Sequence, residues 1–232
     1  RISQNFMNWE DECYLLSKRK FRENANIINV FSQNKGKVSG VVYGGNSRKI
    51  RNYLQISNKL FVINNTKNES KIGYLKTELI KAVSPNFFSD KKRISALTSL
   101  SSILNSLLPE SQPYKELYNS LENFINSINL EHWIILYIYF EINLIKELGY
   151  DTNLKKFDID TKTDEKYQAV KIDGINYEVP LYLIRKEFPK EIEKNLIKKS
   201  LNFTRNLMLN NFYTPNNFIF PKSRIILENY FS

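Results

Sequence analysis

Three short clusters of basic residues are the clearest candidates for a functional site in this 232-residue sequence, because of their residue types and their spacing. They are Lys18-Arg19-Lys20 with Arg22, Lys35 with Lys37, and Arg48-Lys49 with Arg51. Lys and Arg spaced along a groove can follow a nucleic-acid backbone, which carries a phosphate every few ångströms. The pattern therefore predicts a surface that neutralises a polyanion.

Aromatic residues lie between these clusters, at Phe21, Tyr43 and Tyr53. An exposed aromatic ring can stack a base with a gain of about 1–3 kcal/mol. The same rings could instead fill the core of a small barrel, and the sequence leaves both roles open. The charges are the firmer indication of function.

The usual catalytic patterns are missing from the sequence. The loop Gly44-Gly45-Asn46-Ser47-Arg48 lacks the Gly-Lys-Ser/Thr ending of a phosphate-binding loop, so ATP hydrolysis is not indicated. One histidine, His132, and one cysteine, Cys13, provide neither a histidine-based triad nor a cysteine-rich zinc site. We predict a protein that is not an enzyme and that needs no cofactor.

Other acidic and apolar segments have structural explanations. The acidic set lacks the glycine and terminal glutamate of an EF-hand, which favours a solvated loop; it comprises Asp158, Asp160, Asp164 and Glu165. The apolar run Trp133–Phe140 is much shorter than the roughly 20 residues of a membrane-spanning helix, so it predicts a buried helix. On that helix we expect His132 near the start and a structural hydrogen bond at Glu141.

The positive charge is concentrated in the first third of the chain. Residues 1–81 contain 15 Lys and Arg against six Asp and Glu, a net charge of +9, whereas the whole chain has +10. This asymmetry predicts a polyanion-binding module joined to a nearly neutral one. The polar N-terminus shows no signal peptide, and the single cysteine fits a reducing cytoplasm.

Five extended segments precede residue 84 and predict a small closed barrel of the OB type. They are Cys13–Leu16 continued by Ser17–Arg22, Ala25–Phe31, Lys37–Tyr43, Tyr53–Ile63 and Ile72–Val83. On such a barrel the basic clusters are expected at strand ends and loops, where they can converge on one groove.

Helical periodicity begins after Ser84-Pro85. Asp90 is a predicted N-cap for a helix that ends before Pro109, and Pro113 opens the next one. The remaining predicted elements are a helix Glu131–Leu148 ended by Gly149, a hairpin around Asp173-Gly174, a helix after Pro189 and a short helix Ser223–Tyr230. The predicted fold class is α+β: an OB-fold barrel over residues 1–83, followed by a mainly α-helical domain with a small β-hairpin insertion over residues 84–232.

The order of several residues along the chain resembles the bacterial recombination mediator family RecO. The residues that carry the resemblance are Met7, Trp9, Asp11, Leu15-Leu16, Glu23, Gly36, Gly40, Gly44-Gly45, Ser47-Arg48, Leu54-Gln55, Leu75, Glu78, Pro109-Glu110, Leu117-Tyr118, Phe140-Glu141, Leu144 and Leu148-Gly149. No single motif among them is specific; their order and spacing carry the match.

The resemblance implies a protein that binds single- and double-stranded DNA and anneals complementary strands. With RecR, such proteins help to load RecA onto DNA covered by single-strand-binding protein (SSB), whose acidic C-terminal tail they grip. It implies a cytoplasmic, nucleoid-associated protein with no membrane partner. DNA contact is carried over to Lys35, Lys37, Arg48, Lys49 and Arg51, most firmly to Arg48. The alternative is an OB-fold protein that binds RNA or associates with the ribosome.

The sequence departs from the family at three places. Many members hold zinc on four cysteines after the third helix, but this region has none and Phe157 stands near the first expected position, so we predict no zinc. Ile56-Ser57 replaces the usual Pro-Gly, which predicts a different turn there. Arg1–Phe6 precedes the usual start and is interpreted as an upstream extension.

Overall fold

The computed structural model describes residues 8–44, 47–65, 72–158 and 165–232. Met7, Gly45, Asn46, Asp160, Asp164 and the predicted extension Arg1–Phe6 lie outside them. The chain divides into two compact units. Unit 1 comprises Arg1–Tyr118 with Pro221–Arg224, and unit 2 comprises Asn119–Phe220 with Ile225–Ser232. The domain boundary near residue 83, where strands give way to helices, remains a prediction.

Unit 1 contains a closed barrel of five strands in the order β1-β2-β3-β5-β4. The strands are β1 Asn8–Arg22, β2 Ala25–Ser32, β3 Gly36–Tyr43, β4 Lys59–Asn65 and β5 Gly73–Lys81. All neighbours are antiparallel except β3 and β5, which run parallel. The predicted OB-type barrel is confirmed.

The long strand β1 takes part in both halves of the barrel. Its first residues pair with β4, and from Cys13 onward it pairs with β2. A register shift between Leu15 and Ser17 bends the strand, as β-bulges do. The interior is filled by alternate apolar residues of these strands and of the segment before β4: Cys13, Leu15, Ile28, Val30, Val42, Leu54, Leu60, Val62 and Leu75.

The turn between β2 and β3 is tied to β1 by the buried carboxylate of Asp11. This carboxylate accepts hydrogen bonds from the Ser32 hydroxyl, from the Asn34 backbone N–H at 2.7 Å and from the Asn34 amide at 3.1 Å. The Ser32 hydroxyl in turn accepts from the Lys35 N–H at 3.0 Å. Asp11 therefore fixes the conformation of this turn.

A short helix, α1 Arg48–Tyr53, completes the wall of the barrel beside β5. β3 and β5 pair over only two positions, and a Cβ on Gly40 would overlap the Leu75 side chain at this junction. Ile50 and Tyr53 of α1 pack against the barrel core, and the Tyr53 hydroxyl donates to the Thr77 carbonyl of β5 at 2.7 Å. At this junction, where only two residue pairs join β3 to β5, α1 therefore contributes apolar packing and a hydrogen bond.

The prediction of an extended segment Tyr53–Ile63 is wrong at its start, because Tyr53 ends α1 and β4 begins only at Lys59. The Ser47 hydroxyl accepts from the Ile50 N–H and caps the helix. Ile50, Tyr53 and Leu54 have the i, i+3, i+4 spacing of one helical face, which the short length of the segment concealed.

The first long helix, α2 Lys91–Leu107, belongs to unit 1 and begins as predicted. The Asp90 carboxylate caps it by accepting from the Arg93 N–H at 3.0 Å. Near its other end, the Asn105 side chain accepts from the Asn29 amide of β2 at 2.8 Å. α2 therefore lies against the outer face of the barrel.

The remaining elements include most of the predicted ones. They are α3 Lys115–Ser127, α4 Trp133–Glu147, β6 Tyr167–Ile172, β7 Ile175–Pro180, α5 Leu181–Arg185, α6 Lys194–Met208 and α7 Lys222–Asn229, with 3-10 helices Ser84–Phe87 and Leu154–Phe157 and a π-helical turn Leu209–Tyr213. The hairpin turn has positive φ at both Asp173 and Gly174, as a type I′ turn requires. α5 was not predicted.

The buried residue Glu141 on α4 has the structural role that the sequence predicted. It is 1% exposed, and its carboxyl group accepts a hydrogen bond from the Thr204 hydroxyl of α6. Thr204 is itself fully buried. This contact joins two helices of unit 2 through buried polar groups. His132 is the residue before α4, as expected of a helix start.

We expect Thr204→Val to lower the free energy of unfolding by about 2 kcal/mol, because a buried carboxyl group loses a hydrogen-bond donor without gaining water. Thr204→Ser keeps the hydroxyl and should retain most of the stability. Urea denaturation followed by circular dichroism measures both variants. A valine variant as stable as the wild-type protein would show that this hydrogen bond makes no net contribution.

Candidate nucleic-acid interface

The five predicted DNA-contacting residues lie at opposite ends of β3. Lys35 is in the turn before the strand, whereas Arg48, Lys49 and Arg51 follow its other end on α1. At about 3.3 Å per residue, the eight residues of β3 separate its ends by roughly 23 Å. A single strand several nucleotides long could extend over this distance, but the two groups of cations do not form one cluster.

Lys37 differs from the other four because its amino group has a partner inside unit 1. Its Nζ donates to the Asn105 carbonyl of α2 at 2.9 Å. Partial burial lowers the pKa of Lys37, and the negative charge of Glu110 acts in the opposite direction. The structure therefore gives Lys37 a packing role in addition to its predicted contact with DNA, whereas the Lys35 side chain is exposed.

The side chains of Arg48, Lys49 and Arg51 are exposed on α1. The opposite face of α1 is anchored, because Ile50 and Tyr53 pack on the core and Leu54 is fully buried. These cations lie on a helix, and not in a loop or at a strand end as predicted. Its regular backbone holds three cations on a fixed support.

A residue from the first basic cluster contacts the C-terminal end of α1. The Lys18 amino group of β1 donates to the Leu54 carbonyl at 2.8 Å, directly after α1. Partial burial lowers the pKa of Lys18, and the positive charge of Arg51 lowers it further. The first and third clusters of the sequence therefore meet in space, although 33 positions separate Lys18 from Arg51.

The three aromatic residues named from the sequence have different environments. Tyr53 is partly buried against the barrel core. Phe21 and Tyr43 are 42% and 46% exposed. A fourth ring, which was not predicted, is Tyr74 of β5; it is 53% exposed, and its ring centroid lies 5.3 Å from that of Tyr43. Its place between buried Gly73 and Leu75 was the available signal, because alternate residues of a strand face opposite sides.

We use the name α1 face for the exposed cations of α1 taken together with the exposed rings and the arginine near the end of β3 that precedes this helix. It consists of Phe21, Arg22, Tyr43, Arg48, Lys49, Arg51 and Tyr74. Such a surface can neutralise phosphates and contact bases. Among the described residues, no group of three or more His, Cys, Asp and Glu side chains could hold a metal ion.

Unit 2 contains a separate cavity of about 360 Å³. Its lining includes three lysines, Lys146, Lys155 and Lys186, and apolar residues such as Leu183 and Leu207. The combination suits a ligand with both negative charge and an apolar group. In the part of the chain that the structure describes, no helix is long and apolar enough to cross a bilayer.

The closed barrel with its helix beside β5, joined to a mainly helical second unit, places the chain in the class of OB-fold proteins. Two family models match consecutive parts of it. The model described as "Recombination protein O N terminal" covers residues 7–83, and the one described as "Recombination protein O C terminal" covers residues 89–159. The chain belongs to the RecO family, as the resemblance in the sequence predicted.

Individual relatives agree with this assignment, and each is named DNA repair protein RecO. The protein of Wolbachia pipientis wMel is 34% identical over 152 residues, which are 65% of this chain and 62% of the relative. The Ehrlichia chaffeensis protein is 28% identical over 236 residues, which cover 94% of this chain and 96% of the relative. The match to the Wolbachia protein therefore spans less than two thirds of its length, and the match to the Ehrlichia protein spans nearly all of it.

Proposed function

We propose that this protein is a DNA-binding mediator of recombinational repair that anneals complementary strands. In this proposal it also acts with RecR to help load RecA onto single-stranded DNA covered by SSB. Membership of the RecO family supports a role in DNA repair and recombination. The observation that carries DNA binding is the set of three exposed cations on α1, beside exposed rings at the end of β3.

The proposed mechanism of annealing is electrostatic. Two DNA strands repel each other through their phosphates, and cations held on a fixed surface reduce this repulsion while the bases pair. The backbone contacts carry no sequence information, so annealing should show little sequence preference. The net charge of +9 over residues 1–81 supports placing this activity in the predicted N-terminal domain 1–83.

The acidic C-terminal tail of SSB is the proposed partner of unit 2. The cavity is lined by Lys146, Lys155 and Lys186 and by one acidic residue, Asp151, together with polar and apolar side chains. The excess of positive over negative side chains suits an acidic peptide, and the apolar residues can contact its uncharged side chains. The tail would then bind to unit 2 while DNA binds to unit 1, so one molecule could hold SSB and DNA together.

Binding of a labelled, mixed-sequence single-stranded DNA across a salt series tests the proposed DNA binding. If about four phosphates are engaged, the log–log slope is near −2.8, and affinity falls roughly 50-fold between 50 and 200 mM salt. A ribo-oligomer of the same sequence tests the alternative, because only RNA offers a 2′-hydroxyl. Clear preference for the ribo-oligomer would favour the RNA-binding alternative.

The complementary strand, added to the same mixtures, tests annealing. Fluorophore and quencher on the two strands report duplex formation, which the protein should accelerate at low salt. Tight DNA binding without acceleration would leave a DNA-binding protein but overturn the proposed annealing. Salt-insensitive, weak binding would overturn the proposed function as a whole.

A further inference from the structure

Two tyrosines of the α1 face form an open aromatic pair. The rings of Tyr43 and Tyr74 lie 5.3 Å apart between centroids and are tilted by 31°. Both are about half exposed, whereas core tyrosines of unit 1 such as Tyr14 and Tyr118 are 1% exposed. Large exposed rings contribute little to the burial of apolar surface, so the fold itself gains little from this pair.

The backbone holds the two tyrosines in place. Val41 of β3 pairs with Tyr74 of β5 in the parallel ladder, two residues before Tyr43. The Gly44 N–H donates to the Asn24 carbonyl at 3.0 Å, which fastens the end of β3 to the β1–β2 turn. The pair is therefore part of the rigid barrel, and little conformational entropy is lost when a ligand contacts it.

The hydroxyl groups of the pair interact as well. The neighbouring Tyr74 hydroxyl is the main cause that raises the pKa of Tyr43, and the positive charge of Arg22 acts in the opposite direction. Arg22 is thus close enough to influence this phenol. Its guanidinium also lies 5.1 Å from the centroid of the Phe21 ring, which is itself exposed.

The α1 face therefore contains the two kinds of group that an unpaired nucleotide can contact, aromatic rings and cations. A base has a flat π surface that stacks on aromatic rings, and the adjoining phosphate is attracted by Arg or Lys. In a duplex the base faces are stacked on one another and are not available to such rings. The rings consequently favour single strands, while the cations attract either form.

We propose that Tyr43 and Tyr74, with Phe21 and Arg22 beside them, form a stacking platform for unpaired bases of a single DNA strand whose phosphates contact the cations of α1. The inference rests on the proposed function, since it assigns the base contacts of the same DNA-binding surface. It adds a source of preference for single-stranded DNA that charge alone does not provide.

The test compares a single-stranded oligonucleotide with an abasic strand of equal length and charge, by fluorescence anisotropy at one salt concentration. The wild-type protein should bind the base-bearing strand at least about 30-fold more tightly, as expected for two stacked bases at the lower end of the usual range. The variant Tyr43→Leu/Tyr74→Leu should reduce this ratio to near one. Circular dichroism checks that the variant is folded.

Two further variants make the result specific. Tyr43→Phe/Tyr74→Phe keeps both rings and should show the wild-type ratio of affinities for the base-bearing and abasic strands. This result would separate the effect of the rings from that of the hydroxyl groups. Phe88→Leu removes a ring that is 67% exposed elsewhere in unit 1 and should keep the wild-type ratio. Loss of the ratio with Phe88→Leu but not with the tyrosine variant would overturn the proposed platform.

The outcomes distinguish this inference from the proposed function. Equal, salt-dependent binding of both strands by the wild-type protein would overturn the stacking platform and leave DNA binding by charge intact. Absence of binding to either strand would overturn both. A ratio that survives Tyr43→Leu/Tyr74→Leu would place the base contacts on other residues and overturn the assignment.

Discussion

Replacing Arg48, Lys49 and Arg51 together by alanine is expected to weaken binding of single-stranded DNA by about 500-fold at 50 mM salt. Each cation that neutralises a phosphate of a single strand contributes about 0.7 to the log–log salt slope. The slope should therefore change from about −2.8 to about −0.7, and the loss should narrow to roughly 30-fold at 200 mM salt. A salt series by fluorescence anisotropy measures the slope and the loss of affinity at both salt concentrations.

A control with the same change of charge locates the effect. Lys190, Lys194 and Lys198 are exposed residues of unit 2, and their replacement by alanine removes three cations without touching the barrel. If this control weakens binding as much as the α1 variant does, DNA is not localised on α1. Lys35→Ala probes the other end of β3, and a loss there would indicate that the strand extends along the whole of β3.

The second large effect concerns stability. Asp11→Ala is expected to lower the free energy of unfolding by about 3–5 kcal/mol, because several strong hydrogen bonds to a carboxylate are lost together and the Ser32 hydroxyl is left buried without this acceptor. The donors to this carboxylate are the Ser32 hydroxyl, both nitrogen groups of Asn34 and the Glu12 backbone N–H. Chemical denaturation and the thermal midpoint measure the change.

Glu10→Ala is the matched control, since it removes a carboxylate from the neighbouring, exposed position of β1. Surface substitutions of this kind usually change stability by less than about 0.5 kcal/mol. Similar losses in both variants would mean that net charge rather than the hydrogen bonds of Asp11 stabilises the turn between β2 and β3.

The features that could be predicted from the sequence are those determined by neighbouring residues. Asp90 precedes its helix as an N-cap, Gly149 adopts positive φ after α4, and Asp173-Gly174 forms the hairpin turn. Each depends on the local preferences of a few residues. The five strands of the barrel could also be predicted, because each is long enough to show its apolar character.

The features that could not be predicted depend on tertiary structure. The six residues of α1 are too few for helical periodicity to be distinguished from an extended segment, so Tyr53 was assigned to a strand. The separation of Lys35 from Arg48 follows from the direction of β3, which a list of basic residues does not show. The pairing of Tyr43 with Tyr74 depends on the β3–β5 ladder, which joins segments 31 positions apart.

The position of α1 beside the shortest strand pairing links the ligand to the integrity of the barrel. One side of the helix completes the wall through Ile50 and Tyr53, while the other presents the cations. Local opening that detached α1 from β5 would disperse the cations and expose the interior at the same time. By mass action, a bound polyanion favours the closed form over the open one. DNA would therefore protect the backbone amides of this region from hydrogen exchange, so that binding and barrel closure stabilise each other.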